Sequence, residues 1–221
     1  MFSATQIISK QRVRDHGEVF TPDFIVNDML DLVKNETERI ESRFLEPACG
    51  DGNFLAPILE KKLEAVRKKY RSNQVEFERN ALLAVSSIYG VELLQDNVEL
   101  CIERLYSIFD DVYTNLYKGN CKNQFRESIK YVLNHNILQG NALDLKNSDN
   151  EPIVFSEWSL VNGMVKRRDF IFEELAHFDP NKPTLFSKYE ISDTGEAVFS
   201  PKPVKEYSLT HYLVLDYEDK K

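Results

Sequence analysis

Phe44-Leu-Glu-Pro-Ala-Cys-Gly-Asp-Gly-Asn-Phe-Leu55 is the stretch on which the reading of this chain turns. A short apolar run enters a glycine-containing turn, and a long amphipathic helical pattern follows at once, so the segment reads as strand, turn and helix. Gly50 and Gly52 bracket Asp51, which lets the turn take positive φ and bring backbone close to a ligand. A helix beginning near Asn53 aims unpaired N–H groups at the same place. Glu46, at the end of the strand, supplies an acceptor there. Acceptors beside a glycine turn suit a ligand carrying hydroxyls or an amine better than a bare phosphate. Cys49 reads as a small residue in a tight turn.

Downstream, Leu55, Ile58, Leu59, Leu63, Val66 and Tyr70 recur at helical spacing. Lys61, Lys62, Arg67, Lys68, Lys69 and Arg71 fill the other positions, with Glu60 and Glu64 interspersed, and read as a solvated face. Gln74 to Val85 continues as helix, and Ser87-Ile-Tyr-Gly-Val-Glu-Leu93 reads as a second strand ending in Glu92. In nucleotide-binding sheets an acid at that place reaches the ribose hydroxyls of the ligand. Gln95 to Leu116 and Gln124 to Leu133 are helical patterns, and Asn136 to Leu145 gives a third strand whose exit carries Gly140, Asn141 and Asp144. Strands alternating with helices predict an α/β fold with a parallel sheet and right-handed crossovers, its strand ends facing one crevice.

Upstream, Thr21 suits an N-cap and Pro22 the first position of a helix running from Asp23 to Asn35. Ile25, Met29, Leu32 and Val33 make its apolar face. Phe20 and Thr21 stand at the helix entrance, where they can also line a pocket. Residues 1–15 read as a flexible lead-in and 16–221 as one domain, with a cofactor-binding part over 16–145 and a β-rich part over 146–221. In the latter, Pro152 to Val161, the turn Asn162-Gly163 and Met164 to Phe172 predict a hairpin. Glu173 to Phe178 reads as a short helix, Tyr189 to Phe199 as a second hairpin turning at residues 193–196, and Ser208 to Tyr217 as a last strand.

The chain has 221 residues, is 42% hydrophobic and 11% aromatic, and carries a formal net charge of −8. No apolar run is long enough for a membrane helix and no signal peptide is visible, so a soluble, cytoplasmic protein is expected. Three cysteines without a Cys-x-x-Cys pair suggest neither a disulfide scaffold nor a metal site. A domain that gripped nucleic acid alone would carry a basic surplus. Any nucleic-acid contact is therefore expected through a local patch, for which Lys166, Arg167 and Arg168 are the candidates, or through a second subunit.

Taken in order, Phe20-Thr-Pro22, Glu46-Pro-Ala-Cys-Gly-Asp-Gly52, Glu92 and Gly140-Asn-Ala-Leu143 resemble S-adenosylmethionine-dependent DNA adenine-N6 methyltransferases. The similarity is to modification subunits of restriction-modification systems whose cofactor motifs precede the catalytic one, and it covers roughly residues 16–145. It implies a Rossmann-like class I methyltransferase sheet with helices on both faces. It also implies a cofactor site in which Phe20, Thr21 and Pro22 pack around the methionine end. Glu46, Pro47, Ala48, Cys49, Gly50, Asp51 and Gly52 would form the floor, Phe54 a wall, Glu92 the ribose ligand, and Asn141 with Ala142 the adenine contact. The family's catalytic Asn/Asp/Ser-Pro-Pro-aromatic motif is absent, since the sequence contains no Pro-Pro pair. In its place stands Val154-Phe-Ser-Glu-Trp158, which offers Trp158 for base stacking and Glu157 as proton acceptor. The resemblance thus implies a DNA methyltransferase, or its cofactor-binding subunit, working with DNA and with a partner such as a nuclease or specificity protein. Its alternatives are an inactive S-adenosylmethionine-binding regulatory or assembly module, and a methyltransferase for RNA or protein.

Overall fold

A computed structural model of the chain describes residues 10–16, 19, 21–176, 188–191, 197–200 and 202–220. Helices α1 (Lys10–His16), α2 (Asp23–Leu32) and α3 (Lys34–Thr37) precede strand β1 (Phe44–Glu46). Helices α4 (Leu55–Tyr70) and α5 (Gln74–Ser86) lead to β2 (Ile88–Glu92), and α6 (Gln95–Tyr117) and α7 (Asn123–Asn136) lead to β3 (Ile137–Gln139). The three strands form a parallel sheet in the order β1-β2-β3, with Phe44 opposite Ile88 and Gly90 opposite Ile137. The expected α/β alternation with a parallel sheet is therefore present.

The two faces of the sheet are covered unequally, one by the long helices and the other by a hairpin and a short helix. Right-handed crossovers that advance in one direction put all their helices on one face. Ile88 and Gly90 look toward that face, and a Cβ on Gly90 would stand 2.8 Å from the Cys49 sulfur and 3.1 Å from Leu55. Tyr89 and Val91 look the other way and pack on Leu145, Ile153, Phe155 and Phe172. Among the described residues no strand pairs with the outer edge of β1, so the winding never reverses and no second set of parallel-strand crossovers covers the other face.

That face is closed by the root of an antiparallel hairpin, β4 (Val154–Val161) and β5 (Met164–Ile171), followed by the short helix α8 (Phe172–Ala176). Asn162 and Gly163 both have positive φ, 51° and 81°, which fits the twist of a two-residue hairpin turn. From its root the hairpin passes the amino ends of the parallel strands. Glu157 pairs with Arg43, just before β1, at 2.6 Å, and the Trp158 indole N–H donates to Asn136, just before β3, at 2.9 Å. Strands β6 (Lys188–Ile191) and β7 (Ala197–Ser200) pair with each other, and the turn expected at 193–196 lies outside the described residues. The last strand expected over 208–217 shrinks to β9 (Thr210–His211), which pairs with β5, as β8 (Lys205–Glu206) does before it. A 3-10 turn over Leu215–Lys220 follows.

Four further expectations change. Lys10–His16 is helical, although it falls in the stretch read as a flexible lead-in. Helix α2 stops at Leu32 and packs through Val26 and Leu30, while the stripe Ile25, Met29, Leu32 and Val33 stays exposed, Leu32 at 86%. Pro22 rather than Thr21 occupies the N-cap position, without a side-chain cap bond. Lys62 does not belong to the solvated face of α4. It is fully buried, and its ammonium donates to the carbonyls of Arg39, Ile40 and Ser42 at 2.8, 3.0 and 2.6 Å. Three acceptors match the three donors of an ammonium, and they fix the connector that delivers the chain to β1. No helix among the described residues is long and apolar enough to cross a membrane.

Candidate functional site

The glycine turn has the geometry its sequence requires. Gly50 and Gly52 have φ of 52° and 87°, a region closed to most side chains. The Gly52 N–H donates to the Cys49 carbonyl at 2.8 Å, and the Cys49 N–H to the Val91 carbonyl at 3.0 Å, which ties the turn to β2. A Cβ on Gly52 would lie 2.9 Å from the Cys101 sulfur, so α6 can approach only because that residue is glycine. Cys49 is buried, and its hydrogen bond with the Cys101 thiol, together with desolvation, holds its own thiol well above the usual range. It is a packing residue, consistent with its reading as a small residue in a tight turn.

Glu92 is the node at these strand ends. Its carboxylate accepts the Gly50 N–H at 2.9 Å on Oε2, and the Leu94 N–H at 3.0 Å and the Asn97 amide at 3.4 Å on Oε1. Its own carbonyl accepts the Gly140 N–H at 2.9 Å, which brings the exit of β3 alongside. Glu46, at the end of β1, accepts the Ala48 N–H at 3.4 Å, and desolvation raises its carboxyl pKa. Asp51 forms an ion pair with Arg104 at 3.4 Å. The Asn53 amide donates to the Thr21 carbonyl, which fastens the Thr21–Pro22 loop beside the glycine turn. Phe54, partly buried, packs on the main core, and Ala142 packs against the cluster around Val91.

The expected cofactor residues Thr21, Pro22, Glu46 to Gly52, Glu92 and Asn141 with Ala142 thus gather at the carboxyl ends of three parallel strands. Phe20 lies outside the described residues. The Asn141 amide oxygen accepts the Leu143 N–H at 2.9 Å and its amide nitrogen donates to Asp144 at 3.2 Å. The side chain closes its own loop, as asparagine does in such turns. No family model matches the chain, and no similar curated protein or solved structure was found.

The two catalytic candidates and the three basic ones do not join this site. Trp158 is 5% exposed, donates to Asn136 and packs edge-on against Tyr131 at 5.9 Å, so its ring cannot stack on a base. Glu157 is held between Arg43 and Arg168 at the amino ends of the strands, the opposite end of the sheet from Glu46 and Glu92. Arg167 is 5% exposed and chelates Asp169, with Ser156 and Tyr131 as further partners. Lys166 pairs with Glu206 at 3.0 Å and Arg168 with Glu157. Period-two alternation on β5 sends Arg167 inward, and opposite acids neutralise the outward pair. These three residues form no free phosphate-binding patch.

A cleft of about 620 Å³ lies elsewhere, lined by Leu138, Gln139, Ile153, Val154, Ile171 and Val204 among others, and contains none of the crevice residues. The sequence reading missed Asn97, which is 1% exposed and touches Glu92. The available signal was an asparagine one helical turn before Cys101, on the apolar face of α6.

Proposed function

We propose that this chain binds S-adenosylmethionine at the carboxyl ends of β1, β2 and β3, and serves as the cofactor-binding part of a DNA adenine-N6 methyltransferase of a restriction-modification system. The observation that supports this most is the convergence on Glu92 of the Gly50 turn and the Gly140 loop, with Glu46 at the neighbouring strand end. S-adenosylmethionine carries a sulfonium and an ammonium against one carboxylate, so its net charge is positive. A crevice offering two carboxylates and a close backbone suits such a ligand. Glu46 would accept from the amine, Glu92 from a ribose hydroxyl, and the Gly50 turn would let the main chain approach. Bound there, the cofactor supplies an activated methyl group.

The acceptor side is assigned to a partner, such as a specificity protein or an associated nuclease. Trp158 is buried, Glu157 is ion-paired at the wrong end of the sheet, and the sequence has no Pro-Pro motif. A net charge of −8 likewise suits a chain that leaves DNA to another polypeptide. The same observations also favour a second reading, an inactive S-adenosylmethionine-binding regulatory module. Transfer of labelled methyl groups to unmethylated DNA, by the chain alone and with its co-purified partners, separates the two. The first reading predicts labelling only when a partner is present, and its absence in both preparations favours the second. Labelling of RNA or protein in place of DNA would redirect the acceptor.

A further inference from the structure

Glu92 is held from a part of the chain that the cofactor motifs do not include. The Arg12 guanidinium, on α1, donates to Asp96 at 2.6 Å and to the Asn97 amide oxygen at 3.3 Å. The Asn97 amide nitrogen in turn faces Glu92 Oε1 at 3.4 Å. An amide has one accepting and one donating end. With its oxygen engaged by Arg12, Asn97 can present only its donor to Glu92, whereas the flipped amide would set oxygen against carboxylate. The contact is buried, since Asn97 is 1% and Glu92 9% exposed, so a wrong orientation is not relieved by water.

We infer that Asn97 is a positioning residue for Glu92, and that Arg12, by docking α1 on the amino end of α6, locks the Asn97 amide in the orientation that does so. The inference rests on the ribose-binding role given to Glu92 above. A carboxylate offers about four lone-pair sites. Leu94 and Asn97 occupy both on Oε1, and Gly50 takes one on Oε2. The remaining site on Oε2 is the acceptor for a ligand hydroxyl, and the bonds on Oε1 fix its direction. Arg12 and Asn97 therefore set selectivity for a ligand with ribose hydroxyls over one without them.

The test is calorimetric titration of the full chain with S-adenosylhomocysteine and with its 2′,3′-dideoxy counterpart. A lost hydrogen bond to a charged group corresponds to about a tenfold preference for the hydroxylated ligand in the unmodified protein. Arg12→Ala and Asn97→Ala are expected to cut that preference to about threefold or less. The ratio is read only from folded, binding-competent molecules, so a loss of stability alone does not move it. Arg12→Ala, on the surface helix, keeps the test open if Asn97→Ala does not fold. An unchanged preference in the folded variants overturns the positioning roles and leaves the binding site standing. If the unmodified protein binds neither ligand, the site itself and this inference both fall.

Discussion

Glu46 is the residue whose ionisation the proposed site uses most directly. Burial raises its carboxyl pKa above the ordinary value of 4.5, so protons compete for it at milder acidity than for an exposed glutamate. A cationic ligand binds the ionised form. Affinity for S-adenosylmethionine should therefore fall on acidification over the range in which Glu46 takes up its proton, and the fall should flatten in Glu46→Gln. Titrations across that range check it, and a pH-independent affinity in the unmodified protein would remove Glu46 from the site. At this scale the sequence was most legible where chemistry follows from backbone. Gly50 and Gly52 take the positive φ that their spacing predicts, and Glu92 stands at the strand end where its order places it. It was least legible where a side chain's partner lies far away in the chain. Lys62 finds three carbonyls about twenty residues upstream, and Arg12 finds Asp96.

Among the elements, α4 to α7 follow their apolar periodicity closely, because long helices with one buried stripe carry a repeated signal. Helix α2 shows the limit of that signal. Its sequence holds two apolar stripes, and the one through Val26 and Leu30 docks while the one through Leu32 faces outward. Leu30→Ala should accordingly cost about 3 kcal/mol of stability, whereas Leu32→Ser should change it by less than about 0.5 kcal/mol. Urea unfolding midpoints of the two variants provide the comparison, and a large loss in the Leu32 variant would mean that the outer stripe is covered in solution. Strand β3 ends sooner than its apolar run suggests because the Asn141 side chain turns the chain into its own loop. The hairpin at Asn162-Gly163 was readable from two residues, since few other pairs accept positive φ twice in succession.

Across the described residues, the parallel strands run in chain order and β1 has no described neighbour on its outer edge. Among the described residues, neither Trp158 nor Glu157 reaches the carboxyl ends of these strands. The hairpin that follows β3 does not extend the sheet. It crosses the amino ends of the strands, where Trp158 and Arg167 lock it onto α7 through Asn136 and Tyr131. Local pattern could show that β4 and β5 pair, but not which layer they would join, because alternation is the same for a strand in either sheet. The glycine turn between β1 and α4 is where we propose that S-adenosylmethionine binds. Calorimetric titration of the full chain and of Gly50→Val, with folding of both verified by circular dichroism, tests it most directly. A branched side chain is disfavoured at a φ of 52° and would occupy the backbone approach. Saturable heat in the unmodified protein that disappears in the variant is the predicted result. No heat from the folded unmodified protein, or equal affinity in both, would contradict it.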